Sequence, residues 1–310
     1  MNPFISICIP AYKNVAFLDV LLQSVAGQQF RDFEVVVTDD SPDREVELLC
    51  EKYRPLFPLT YQRNSPAAGS PGNWNRSIAL AKGQWIKIMH DDDWFSSEDS
   101  LGKFAAVAKE DPGKTFIFSG FSNYEGGKLK HTFIPGNEVE WKLKRSPLYL
   151  FQRNYIGHPS TSLIKNDLDS WYDEKVKWVV DFEFYIRCLS SHAFTMIRES
   201  LINIGISNEQ VTKAAFRKID IEIPENLYLL NKLGTKSLGH LRVYDYYWRL
   251  FRNLSIRDMS EVDKFAGGNA VPPVIRRMLG MQFAIPLPLL RIGMFSKMLM
   301  LISYISNGKR

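Results

Sequence analysis

Two nearly all-apolar runs, Phe4–Pro10 and Phe33–Thr38, flank a stretch in which Phe17, Leu18, Leu21, Leu22 and Val25 recur at helical spacing before Gly27. Strand, helix and strand in so short a span make a βαβ unit, which forces the two strands parallel and the sheet to be covered by helices. The rhythm continues with a helix over 44–53, a strand over 59–63 and a loop rich in Pro, Gly, Ser and Asn over 64–72. A helix over 73–82, stopped by Gly83, leads to a strand over 85–89. The expectation is an α/β fold with a central, mostly parallel sheet. With 45% hydrophobic residues over 310 positions, the chain can bury a core of that kind.

Three strand ends carry polar clusters in turn: Pro10-Ala11-Tyr12-Lys13-Asn14, Asp39-Asp40, and His90-Asp91-Asp92-Asp93. In an open α/β sheet the ligand sits outside the carboxyl ends of the strands, so all three point to one crevice. Three adjacent carboxylates repel one another unless a cation lies among them, and a hard divalent ion with oxygen ligands fits. The alternative, a solvated acidic turn before a helix capped near Ser96 or Ser97, is weakened by the triplet's place as the third polar strand end. The first βα turn has no GxGxxG, so a dinucleotide site lacks its glycines. Gly113-Lys114-Thr115 has Ala108 where a phosphate loop needs its leading glycine, and a strand follows it. Asp39 and Asp40 remain suited to hydrogen-bonding a base or ribose.

Read together, Ser6–Asn14, Val36–Ser41, Asn73–Gly83 and the acidic triplet resemble the GT-A fold glycosyltransferases, in particular the mostly inverting family 2. The resemblance covers about the first third of the chain in the family's order and spacing. It implies that Pro10, Tyr12 and Asp39 or Asp40 hold the nucleotide base and ribose, with Asn75, Arg76 and Asp91 also on the donor side. It implies as well that the triplet is the DxD-type motif, with Asp92 and Asp93 ligating Mg²⁺ or Mn²⁺. His90 stands where the commonest family pattern has its first Asp. Lys13 and Arg76 add positive charge near a diphosphate, though a helix arginine is more often simply solvated.

Further on, a helix is expected to open at Ser97, a hairpin to form around Glu125-Gly126-Gly127, and Ser146-Pro147 to start a helix running to Arg153. Asn154–Ser162 borders the acceptor pocket in the resembling family, which makes His158 and Ser160 candidates there. Inversion needs a general base for the acceptor hydroxyl. Asp181 opens an amphipathic helix whose dipole alone would favour a carboxylate, and the resemblance assigns it as that base. Glu183 points to another face. Where many relatives carry a late His, this chain has Ser207, before Asn208–Thr212.

Asp220–Pro224 reads as a boundary. Residues 1–220 form the expected catalytic domain, nucleotide-binding over about 1–110 and acceptor-facing over about 111–220. Residues 221–310 form a helical extension. From Lys264 onward there are seven Lys or Arg and no Asp or Glu, against 32 basic and 34 acidic residues before it, so the net +5 resides in the tail. Its mixture of Arg with Leu, Met and Ile suits an interfacial segment on an anionic membrane better than nucleic acid, which wants denser positive charge. A helical subdomain packed on the core is the other reading. Met278–Leu290, its longest uncharged run, contains Pro286 and Pro288 and is too short to span a bilayer. Cys8, Cys50 and Cys188 form neither a disulfide framework nor a zinc motif, and the N-terminus lacks signal-peptide regions.

These features predict an inverting glycosyltransferase, cytoplasmic and peripheral at the inner membrane face, serving surface polysaccharide or glycolipid assembly. The favoured donor is a UDP-sugar and the acceptor a saccharide or lipid-linked oligosaccharide. The rivals are an inactive nucleotide-sugar binding module, for which Ser207 speaks, and a sugar-nucleotide pyrophosphorylase, which would need a Gly-rich first turn.

Overall fold

The computed structural model describes residues 2–111, 113–206 and 217–307; the segment Ser207–Thr212, with its departure from the family's late His, lies outside them. The chain divides into two compact units, Met1–Lys144 with Tyr155–Asn208, and Arg145–Asn154 with Glu209–Arg310. The short segment 145–154 thus groups with the C-terminal unit.

In the first unit the elements are β1 (Ile5–Ala11), α1 (Val15–Ala26), β2 (Phe33–Asp39), α2 (Glu45–Tyr53), β3 (Leu59–Arg63), α3 (Gly72–Leu80), β4 (Trp85–Ile88) and β5 (Asp93–Phe95). They continue with α4 (Ser100–Glu110), β6 (Phe116–Glu125), β7 (Lys128–Phe133), α5 (Asn137–Arg145), β8 (Ser162–Lys165), α6 (Val180–Ser191) and β9 (Phe194–Ile206). One nine-stranded sheet runs in the order β3-β2-β1-β4-β8-β6-β9-β5, with β7 on β6. The first four strands are parallel, as the βαβ rhythm requires. Beyond β4 the sheet turns antiparallel through β8 and β6, with β6 and β9 parallel again. Ile5, Ile7 and Ile9 of β1 and Val35 and Val37 of β2 pack with Leu18, Leu21, Leu22 and Val25 of α1 in the main core.

Pro10 does not end β1: it pairs in register with Thr38, and the strand continues to Ala11. The Cys8 carbonyl faces β4, accepting from the Met89 N–H at 2.9 Å. By the alternation of a strand, the missing N–H of Pro10 faces the same side, where β4 has already ended. The β6–β7 hairpin turns at Gly126 and Gly127 with φ of 57° and 74°, values that a side chain would strain. The helix expected from Ser97 begins at Ser100, and the one expected from Ser146 is a 3-10 helix over Pro147–Phe151 whose cap is Ser146 Oγ, accepting from Leu148 N at 3.2 Å.

The second unit contains α7 (Ile219–Leu233), α8 (Leu241–Asn253), α9 (Met259–Phe265), α10 (Pro273–Phe283), α11 (Leu287–Leu290) and α12 (Gly293–Asn307). The boundary read at Asp220–Pro224 lies inside α7, whose second turn accommodates Pro224. Tyr244, Tyr247, Trp248 and Phe251 of α8 are buried. Trp248 Nε1 donates to Ser296 Oγ at 3.0 Å, and Tyr244 and Ser303 hydroxyls lie 2.7 Å apart, so α12 is tied to α8. The tail therefore folds as a helical subdomain with its own core. No helix among the described residues is long and apolar enough to cross a membrane.

Candidate active site

The strand order reverses at β1, which has β2 and β3 on one side and β4 on the other; such a switch point opens a crevice at the carboxyl ends. Across it, the Tyr12 N–H donates to Asp91 Oδ2 at 3.2 Å. This bond joins the first and third polar strand ends. The Tyr12 ring is 53% exposed, with Lys13 Nζ 4.8 Å above it, and presents a flat apolar face at the lip.

Asp39 and Asp40, expected at the base and ribose, have partners within the chain. Asp39 is fully buried, its oxygens accepting from Ser41 N at 2.8 Å and Tyr61 OH at 2.8 Å. Asp40 accepts from Asn64 Nδ2, Ala68 N and Gly69 N at 2.7–2.9 Å. These carboxylates organise the strand end and the 64–72 loop, whose backbone donors need acceptors. Asn75 likewise clamps Tyr172, accepting from its N–H at 3.1 Å and donating to its carbonyl at 2.8 Å. Arg76 is half-buried on α3, where its guanidinium donates to the Pro66 carbonyl.

At the end of β4, ligand atoms of His90, Asp92 and Asp93 lie within 4.8 Å of one another. Two buried atoms there, His90 Nε2 and Asp93 Oδ2, have no hydrogen-bond partner among the described residues. Nitrogen and oxygen donors converging with lone pairs unsatisfied are the chemistry of a divalent-cation site, so the residues present fit Mg²⁺ or Mn²⁺. Burial first and Asp92 second push the Asp91 carboxyl up to about 7, the same two causes raise Asp93, and burial pushes His90 down to about 4. The cluster is short of positive charge.

What lies behind the triplet was not anticipated. Lys87, fully buried in mid-strand, donates from Nζ to the carbonyls of Ser160 and, at 3.3 Å, Ser162, with the Phe104 ring 4.7 Å away. Burial lowers its pKa and Asp93 opposes the shift. Ser160, predicted to face the acceptor, is instead fully buried, its hydroxyl accepting from His90 N at 3.0 Å. His158, the other acceptor candidate, is half-buried, edge-on to Phe121, and its charge interacts with Asp92 and His90. Gly205 on β9 donates to the Asp92 carbonyl at 3.1 Å and to Asp93 Oδ1 at 3.3 Å, and a Cβ there would collide with that carbonyl. A lysine within an apolar strand was a visible signal for Lys87; Gly205 had none.

An aromatic bridge leads from the triplet toward α6. Trp74 lies 4.7 Å from the His90 ring and 5.0 Å, edge-on, from Tyr172, which sits 4.2 Å from Phe184 of α6. Asp181 occupies the first turn of that helix, and its negative charge acts on the Tyr172 and Tyr185 hydroxyls. Its Oδ1 is buried without a partner among the described residues, and burial pushes the carboxyl up to about 7. Glu183 is 2% exposed and paired with Arg187 at 2.9 Å, so it has a structural task.

The glycosyl transferase family 2 profile matches residues 6–169, just over half the chain. An uncharacterised glycosyltransferase of Methanocaldococcus jannaschii is 24% identical over 258 residues, covering 81% of this chain and 86% of its own. The abequosyltransferase RfbV of Salmonella typhimurium is 26% identical over 272 residues, 78% of each chain. Among solved structures, Staphylococcus aureus TarS 1-349 in complex with UDP-GlcNAc superimposes with a TM-score of 0.66 at 16% identity, covering 100% of this chain and 91% of that one. The mannosyltransferase PcManGT from Pyrobaculum calidifontis, in complex with GDP-Man and Mn²⁺, gives 0.58 at 13% identity, covering 99% and 87%. With the mixed sheet, the switch-point crevice and the acidic strand end in place, the chain belongs to glycosyl transferase family 2 and has the GT-A fold.

Proposed function

We propose that this glycosyltransferase moves a sugar with inversion from a nucleoside diphosphate donor, a UDP-sugar in the favoured case, to an acceptor hydroxyl. The observation that carries the reading is the pair of unsatisfied carboxyl oxygens, Asp93 Oδ2 beside His90 Nε2 at the switch point and Asp181 Oδ1 at the start of α6. One suits a cation and the other a proton. His90, Asp92 and Asp93 would hold Mg²⁺ or Mn²⁺, which when bound supplies charge neutralisation for the departing diphosphate. Tyr12 stacks on the base. Asp181 accepts the proton of the acceptor hydroxyl as its oxygen bonds to the anomeric carbon; the bond from that carbon to the diphosphate oxygen breaks, and the nucleoside diphosphate leaves. A carboxyl poised near 7 suits this task better than one near 4, because proton acceptance is strongest when base and medium are matched.

The complexes of TarS with UDP-GlcNAc and with UDP, that of PcManGT with GDP-Man and Mn²⁺, and the sugar transfers that RfbV and TarS are named for support a nucleotide-sugar donor, a metal and a role in surface polysaccharide or glycolipid assembly. A lipid-linked acceptor at the inner face of the membrane completes the proposal.

A thermal-shift screen of UDP- and GDP-sugars with and without Mn²⁺ tests the donor half. A donor present at 100 times its Kd stabilises by about 2.7 kcal/mol, and Mn²⁺ should enlarge the effect. Absence of stabilisation by every nucleotide sugar would end the reading.

A further inference from the structure

Helix α12 has one side buried and an apolar side opposite to it exposed. Ser296, Leu299, Met300 and Ser303 are buried against the second unit's core, at spacings of three and four residues. Met294, Met298, Leu301, Ile302 and Ile305 follow the same spacing on the other side and are exposed, Met294 by 87% and Ile305 by 69%. Leu289 and Ile292 just before the helix extend that side. An exposed apolar stripe this long, on a helix whose other side is already packed, is more than the scattered apolar residues of an ordinary surface.

The charges identify the cover. No Asp or Glu follows Asp263 in the sequence, whereas Arg276, Arg277, Arg291, Lys297, Lys309 and Arg310 do; of these, Arg276 pairs with Asp263 at 2.6 Å and Lys297 with Asp245 at 3.0 Å. Arg277 donates to Asn307 and Arg291 to Ser255, neutral partners, and neither has a carboxylate partner among the described residues. At 15 residues, α12 is about 22 Å long, too short to cross a bilayer and suited to lying along one. We propose that the outer face of α12 is a membrane-docking surface, which lies in the plane of an anionic leaflet with Met294, Met298, Leu301 and Ile305 among the acyl chains and Arg277 and Arg291 at the headgroups.

This surface deepens the proposal of a lipid-borne acceptor, and its test is independent of donor and acceptor. The full chain is sedimented with vesicles of phosphatidylglycerol mixed with phosphatidylcholine and with phosphatidylcholine alone, beside the variant M294E/I305E and the variant R277Q/R291Q. The altered side chains are exposed, so both variants should keep the wild-type melting temperature. Binding to anionic vesicles, weakened at least about tenfold by M294E/I305E and reduced by added salt and by R277Q/R291Q, is the expected result. Wild-type binding unchanged in M294E/I305E would move the docking surface elsewhere. Failure of the wild type to bind while a nucleotide sugar still stabilises it would overturn membrane docking and leave the transferase reading standing. A concentration-dependent dimer that M294E/I305E abolishes, without vesicle binding, would assign the face to a second copy.

Discussion

Replacing Asp181 by Asn tests the base through stability as well as rate. The folded chain holds this carboxyl at about 7 against an ordinary 3.8, a difference equivalent to about 4 kcal/mol if none of it is screened. The side chain is only partly buried, so about 2–4 kcal/mol is the working range. The sign follows from proton binding. Between pH 4 and 7 the folded state holds a proton that the unfolded state has released, so the stability present below the unfolded pKa is lost as pH rises to about 7. Asn cannot ionise and escapes that loss. The melting temperature of D181N relative to the wild type should therefore climb between pH 4 and 7, by roughly 5 °C or more, and then level off. Transfer should fall by about 10²–10⁴, and wild-type transfer should rise with pH until about 7. Differential scanning calorimetry across pH and a transfer assay at pH 7.5 measure the two. A pH-independent offset in melting temperature would show that Asp181 is not held neutral by burial, and retained transfer would remove it as the base.

Two further substitutions address the groups behind the triplet. Lys87→Met leaves the Ser160 and Ser162 carbonyls unpaired in the core, so urea unfolding should show a loss of about 2–4 kcal/mol; an unchanged midpoint would remove Lys87 as the strut of this segment. Gly205→Ala forces β9 away from the Asp92 carbonyl, and the variant should keep its far-UV circular dichroism but lose Mn²⁺-dependent stabilisation, whereas a wild-type Mn²⁺ shift would separate Gly205 from the cation site.

The βαβ rhythm, the hairpin at Gly126-Gly127 and the pointing of the polar strand ends to one crevice were legible in the sequence, because period, turn chemistry and strand-end rules act locally; the Tyr12–Asp91 bond itself came from the structure. Side-chain partners were not. Whether Asp40 meets a ligand or the Ala68 and Gly69 amides depends on how a loop 28 residues away folds back, and whether Ser160 faces outward depends on a lysine 73 residues earlier. The strands β8 and β9 escaped because short or mixed runs acquire their pairing from partners far along the chain. The tail posed two readings, packed core or interfacial helix, and α12 carries a feature of each: one face buried against α8 and the other exposed.

The sequence by itself determined the parallel half of the sheet, the crevice at its strand ends and an acidic cluster lacking positive charge, since these follow from periodicity and from like charges placed side by side. Only the tertiary structure decided which carboxyl oxygens remain unpaired. That is a sum over distant partners: Ser41 and Tyr61 satisfy Asp39, Arg187 satisfies Glu183, and Asp93 Oδ2 and Asp181 Oδ1 are left buried with lone pairs to offer.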